Sequence, residues 1–187
     1  YFVDISDVAG NRVICAGTSD GRVLFFIGQE LNYMPIQLPE NYVTLHHIES
    51  KVFRVRYTTR QEVPTVLVLT WNHNKTISAI IEIDLKTFAL RNLLEVRTTE
   101  DQPKAMINLF EMVHGYLMVA TLNGFVSIHN YPDTTAKIGG IIHQNQISDI
   151  IASEDELKNT SLKIKTMFIL EKKTEQREGS LGIYLLK

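Results

Sequence analysis

The sequence predicts an all-β protein built from repeated antiparallel strands, and three observations carry that reading. Short apolar runs rich in valine, isoleucine and threonine recur along the chain, bounded by Gly, Asn, Asp and Ser. No long stretch repeats its apolar residues at the 3.6-residue helical period. One pattern, an apolar run followed by Thr-x-Asp/Asn-Gly and a second apolar run, occurs twice.

Taken in order, Arg12 to Gly17 is a strand, Thr18-Ser19-Asp20-Gly21 a turn, and Arg22 to Ile27 the returning strand. Asp-Gly between apolar runs predicts a type I′ turn, which needs positive φ at both central positions. Tyr42 to Ile48 reads as the inner strand of a second unit. Lys51 to Thr58 alternates Val52, Arg54 and Arg56 against Phe53, Val55 and Tyr57. Val66 to Trp71 and Thr76 to Leu85 flank the turn-like Asn72-His73-Asn74-Lys75. Phe88 to Val96 suits an outer strand, although Leu90, Leu93 and Leu94 also suit a helical turn.

Tyr116 to Thr121, Leu122-Asn123-Gly124 and Phe125 to His129 repeat the first hairpin. Ile138 to His143 and Gln146 to Ala152 read as an outer strand and the next inner one. Ser153 to Asn159 is polar and reads as an exposed loop. Lys163 to Leu170 and Ser180 to Leu186 form a last pair around the charged loop Glu171 to Gly179. The inventory is roughly fourteen strand-like runs.

Superimposing Asp20-Gly21 on Asn123-Gly124 places Ile14 on Leu117, Thr18 on Thr121 and Val23 on Val126; positions 20 and 123 lie 103 residues apart. Propeller blades repeat every ~40–50 residues, so two blade periods fit this spacing. A β-sandwich also accommodates many short strands, but gives no reason for the same hairpin to recur at that distance. On Val13 to Phe26 and Tyr116 to His129 the chain resembles the WD40-like β-propeller superfamily. It lacks that family's Trp-Asp and Gly-His pairs, and its Trp71 is followed by Asn72. The resemblance is to divergent propellers of tethering, coat and scaffold subunits.

The expectation is therefore a partial propeller of three to four four-stranded blades, near 1–40, 41–98, 103–143 and 146–187, within a single domain 1–187. Propellers close with typically about four to eight blades. An open stack exposes an edge and an apolar face. Both ends also adjoin strand-like runs, so the remainder of the ring is expected outside this sequence.

Composition narrows function. Of 187 residues, 44% are hydrophobic and 21% charged, as in a globular protein, and no apolar run approaches the ~20 residues of a membrane span. Nineteen basic and twenty-one acidic residues give a net charge of -2, without the broad positive field of a nucleic-acid binder. The lone Cys15 sits in an apolar strand, which favours a reducing, cytoplasmic compartment.

Catalytic, cofactor and metal candidates all fall away. His46-His47 would point to opposite faces of a strand, and His73, His114, His129 and His143 are scattered. Cys15 has no base nearby in sequence, and Gly179-Ser180-Leu181-Gly182 lacks nucleophile-elbow spacing. Gly139-Gly140 is too short for a phosphate loop and reads as a bend or bulge. Sequons at Asn74 and Asn159 fall in expected loops, open to glycosylation only in a secreted protein. The partner-binding candidates are Arg54, Arg56 and Arg60, a basic cluster in which Arg54 and Arg56 share a strand face.

These readings favour a protein-protein interaction scaffold in a multisubunit complex, such as a vesicle tethering or coat assembly, binding other protein subunits and no cofactor. A nucleic-acid-associated propeller and a propeller enzyme are the alternatives.

Overall fold

A computed structural model describes residues 2–8, 11–28, 42–44, 50–99, 102–135, 137–143, 145–156, 163–173 and 179–186. The chain divides into two compact units, Tyr1–Asp101 and Gln102–Lys187.

The first unit holds two four-stranded antiparallel sheets, each a meander. β1 (Phe2–Val8), β2 (Asn11–Gly17), β3 (Arg22–Gly28) and β4 (Tyr42–Thr44) make one; β5 (Ser50–Arg60), β6 (Val63–Asn72), β7 (Ile77–Asp84) and β8 (Leu90–Arg97) make the other. Tyr42–Thr44 pairs with Arg22, Val23 and Leu24, so it closes the first sheet instead of opening the second, as its sequence had suggested. The rest of that run, with His46 and His47, lies outside the described residues. Leu90–Arg97 is a strand and no helical turn: its carbonyls and amides pair with β7, and propensity yields to that ladder.

Between the two sheets lies a core of Cys15 and Val23 from the first, and Val52, Val55, Val66, Val68 and Ile83 from the second. Burying such a side chain is worth roughly 1.5–3 kcal/mol. Gly17 permits the close approach, since a Cβ there would lie 2.2 Å from Val52 Cγ1. Val66, Leu67, Val68 and Leu69 are all fully buried, so β6 is covered on both faces and its apolar run is unbroken for that reason.

In the second unit a 3₁₀ turn, Pro103–Ala105, leads into β9 (Ile107–Val113), which the sequence had not singled out. It joins β10 (Tyr116–Thr121), β11 (Phe125–Asn130) and β12 (Lys137–Ile142) in the order β12-β11-β10-β9. The last sheet has three strands, β13 (Ile147–Glu156), β14 (Lys163–Glu171) and β15 (Leu181–Leu186). Its core against the third sheet combines Leu109, Val113, Met118, Ala120 and Val126 with Ile147, Ile150, Met167 and Ile169. Ser153–Glu156 is strand where an exposed loop was expected. Register pairs Ser153–Glu156 with Thr166–Lys163 of β14, and that ladder holds the segment extended.

The two matching hairpins share three hydrogen bonds and differ after the glycine, where Arg22 N donates to Thr18 Oγ1 at 2.9 Å but Phe125 N to Asn123 Oδ1 at 3.3 Å. In the first, Gly21 N donates to Thr18 O at 3.3 Å and Thr18 Oγ1 to Arg22 O at 3.2 Å. In the second, Gly124 N donates to Thr121 O at 3.0 Å and Thr121 Oγ1 to Phe125 O at 3.1 Å. Each threonine hydroxyl also donates to the side-chain Oδ1 two residues on, of Asp20 and Asn123. Neither turn is type I′. Of the three loop residues in each, the glycine alone has positive φ, 88° at Gly21 and 84° at Gly124. This is the three-residue loop in which a turn is followed by a left-handed glycine. The two-residue loops with positive φ throughout are Gln61-Glu62 (48° and 66°) and His114-Gly115 (49° and 86°).

Candidate functional site

Strand register assembles a charged row on the second sheet. Arg56 faces Leu67, Leu67 faces Glu82, and Glu82 faces Arg91, all on the side away from the Val66–Val68–Ile83 core. Arg54 and Arg60 follow the same two-residue period on β5, beyond an irregularity between Val52 and Arg54. Glu82 is 2% exposed, and Arg91 grips it with two bonds, Nε and Nη2 each 3.1 Å from a carboxylate oxygen. Arg60 Nε stands 3.3 Å from Glu82 Oε1 and its Nη2 3.7 Å from Asp84 Oδ2. Backbone N–H donors of Thr87 and Lys86 hold the Asp84 carboxyl below the usual range, with Arg60 adding to the effect.

Arg54, Arg56 and Arg60 are thus brought onto one face, half-buried and engaged within the chain. Glu82 and Arg91, which complete the row, lie on β7 and β8 and carried no sequence signal. Beside them, on the other face of this sheet, is a cleft of about 330 Å³ lined by Thr70, Asn72, Ala79, Ile81, Asn92 and Glu95 among others. Its one carboxylate is taken up by Arg97 Nε at 2.7 Å and Asn92 Nδ2 at 3.2 Å.

A second cluster lies in the second unit. His143 Nδ1 is 2.7 Å from Glu171 Oε1, Asn145 Nδ2 donates to Glu171 Oε2 at 3.3 Å, and Tyr184 Oη lies 3.2 Å from His143 Nε2. His143 and Glu171 are both buried. Backbone bonds bracket them: His143 N to Gly124 O at 2.9 Å and Lys172 N to Gln146 O at 2.8 Å. A Cβ on Gly124 would lie 2.6 Å from the carbonyl oxygens of both His143 and Asn145. The arrangement clasps the connection from β12 to β13 onto the last sheet.

The remaining candidates resolve individually. Cys15 is fully buried in the valine core and forms no disulfide. His129 shares a bond of 3.0 Å with Ser127 Oγ, and burial, with Lys137 adding to it, lowers its pKa. Among the described residues no three His, Cys, Asp or Glu side chains converge on a metal position. Asn74 sits in an exposed turn fixed by Asn72 Oδ1, which accepts from Thr76 N and Ile77 N; Asn159 is outside the described residues. Gly139-Gly140 lies in β12, opposite a register irregularity at Ile128/His129, and the Phe125 ring packs over Gly140 with Lys137 Nζ 4.1 Å from its centre.

No family model matches the chain, and no curated protein does. Solved structures do. BBS1N in complex with ARL6DN superimposes with a TM-score of 0.61 at 11% identity, over 98% of this chain and 51% of that one. Saccharomyces cerevisiae Sqt1 gives 0.55 at 9% identity, over 90% and 42%. The β-propeller domain of Myceliophteria thermophila Cps50 (Swd1) gives 0.53 at 9% identity, over 93% and 55%. The chain spans about half the length of the solved chains it matches. At these identities the likeness shows the fold, an all-β partial β-propeller.

Proposed function

We propose that this chain is a non-catalytic scaffold that binds other protein subunits. The observation that carries this is the clustering of exposed large apolar side chains, Ile151, Leu170, Leu181 and Ile183, on the last sheet. A contiguous apolar patch on a folded surface marks a site of protein association. The clusters of polar residues agree: each is spent on internal ion pairs or on clasping strands. BBS1N, a structural relative, was solved with a protein bound, ARL6DN. A tethering or coat assembly in a reducing compartment is the setting that the divergent-propeller resemblance and the buried Cys15 favour.

Within this reading Arg54, Arg56 and Arg60 are the basic positions that meet an acidic partner segment, with Arg60 exchanging Glu82 for the partner's carboxylate. The test is the native mass of the protein isolated from its own cells. Co-elution with other polypeptides in fixed ratio is expected, weakened by Arg56→Glu. Elution of the protein alone, at its own mass, overturns the scaffold reading.

A further inference from the structure

The turn between β10 and β11 contains a reactive pair, Asn123-Gly124, and holds it shut. In an open chain Asn-Gly loses its side-chain amide readily, because a glycine without Cβ leaves its own backbone nitrogen unhindered. That nitrogen attacks the asparagine Cγ. A bond from Gly124 N to Asn123 Cγ forms, the Cγ–Nδ2 bond breaks, and ammonia leaves with the Gly124 amide proton. Water then opens the cyclic imide. Attack at Cγ yields aspartate, and attack at the main-chain carbonyl yields isoaspartate, whose backbone is one methylene longer.

In the folded turn the attacking atoms are tied. Gly124 N donates to Thr121 O at 3.0 Å, so the proton that must leave is held inside the loop. Asn123 Oδ1 accepts from Phe125 N at 3.3 Å and from the Thr121 hydroxyl, which fixes the plane of the carboxamide. The leaving group is not tied: Asn123 is exposed, and its Nδ2 has no partner among the described residues. The reaction therefore waits on opening of the turn.

We propose that Asn123 is a deamidation site gated by local opening of this turn, and that its isoaspartyl product releases the His143–Glu171 clasp. The two products part company at Gly124. Aspartate is accommodated, since Asp20 occupies the same place in the first hairpin with the Thr18 hydroxyl on its Oδ1 and Gly21 N on Thr18 O. Isoaspartate inserts its methylene directly before Gly124, where there is no slack. A Cβ there would stand 2.6 Å from the carbonyl oxygens of His143 and Asn145, and Gly124 O accepts from His143 N at 2.9 Å. Displacing Gly124 disturbs the segment that brings His143 and Asn145 to Glu171. This goes beyond the scaffold reading and does not depend on it.

Peptide mapping by mass spectrometry of the protein held at neutral pH tests the gate, with a free peptide of residues 119–128 as the open-chain reference. Asn123 is expected to deamidate roughly 100-fold more slowly in the protein, and faster in urea below the unfolding transition. Thr121→Val, which removes the hydroxyl from Oδ1, is expected to raise the rate about tenfold. A rate equal to that of the peptide, an unchanged rate in folded Thr121→Val, or acceleration only on global unfolding overturns the gate. Should Thr121→Val fail to fold, the urea series alone decides. Hydrogen exchange on the separated products tests the clasp. The His143 amide is expected to exchange at least ~10-fold faster in the isoaspartyl form than in the aspartyl form, which should match Asn123→Asp. Equal exchange in the two forms overturns the release of the clasp.

Discussion

Removing both cations that hold Glu82 should cost more than the two removals added together. The carboxylate is 2% exposed and sits between Leu67 and Arg91 in its row. Arg91→Ala deletes two bonds of 3.1 Å but leaves Arg60 Nε at 3.3 Å, so about 1–2 kcal/mol is expected. Arg60→Ala deletes the longer contact and the 3.7 Å approach to Asp84, for about 1 kcal/mol. The double variant strands a buried charge without either of these cations, for about 3–5 kcal/mol. Urea unfolding at neutral pH, with the slope unchanged between variants, measures the non-additivity directly. Adding Glu82→Leu to the double variant should recover part of the loss, because Leu67 and Ile80 surround the site with apolar atoms. A double variant no worse than the sum of the singles would refute the reasoning.

Further outcomes follow from the turns and the clasp. Replacing Gln61-Glu62 by Asn-Gly relieves two non-glycine residues at positive φ and should raise stability by about 1–2 kcal/mol in thermal unfolding. Gly124→Ala should cost about 2–4 kcal/mol, since strain at φ 84° adds to a 2.6 Å clash with two carbonyls. Gly115→Ala, at φ 86° with open space around it, should cost about 1–2 kcal/mol, and equal losses would refute the role given to the clash. His143→Phe should cost about 2–3 kcal/mol by leaving buried Glu171 with Asn145. Asp84, whose pKa is lowered on folding, contributes stability that is complete above its ordinary 3.8 and is lost as pH falls through the lower folded value. Melting temperature against pH should therefore drop less steeply in that acid range for Asp84→Asn, whose Oδ1 still accepts from Lys86 and Thr87.

What the sequence made legible was local. Asp20-Gly21 and Asn123-Gly124 announce hairpins because a glycine that needs positive φ cannot easily be anything else. Even there the loop length was hidden, because the threonine hydroxyl that braces each turn extends it by one residue. Gln61-Glu62 gave no turn signal, since neither residue favours the conformation it adopts; pairing of the long β5 and β6 ladders imposes it. The site was less legible. Arg60 was visible as a cation, but its partners Glu82 and Asp84 reach it only after β6 and β7 fold back. His143 and Glu171 are 28 residues apart and meet through the same kind of tertiary pairing. Ser153–Glu156 looked like loop by polarity, and only its register against Lys163–Thr166 makes it strand.

The outer strand of the third sheet bears on how the protein behaves when concentrated. β12 carries Ile138 and Ile142 at 53% and 82% exposure, along an edge that invites stacking between molecules. Its first residue is Lys137, folded back over Phe125, and its ladder is irregular at Ile128/His129. A lysine and a bulge are the devices that keep a sheet edge from templating another. On β12 both devices sit beside the exposed isoleucines, and both work against stacking of a second strand along this edge.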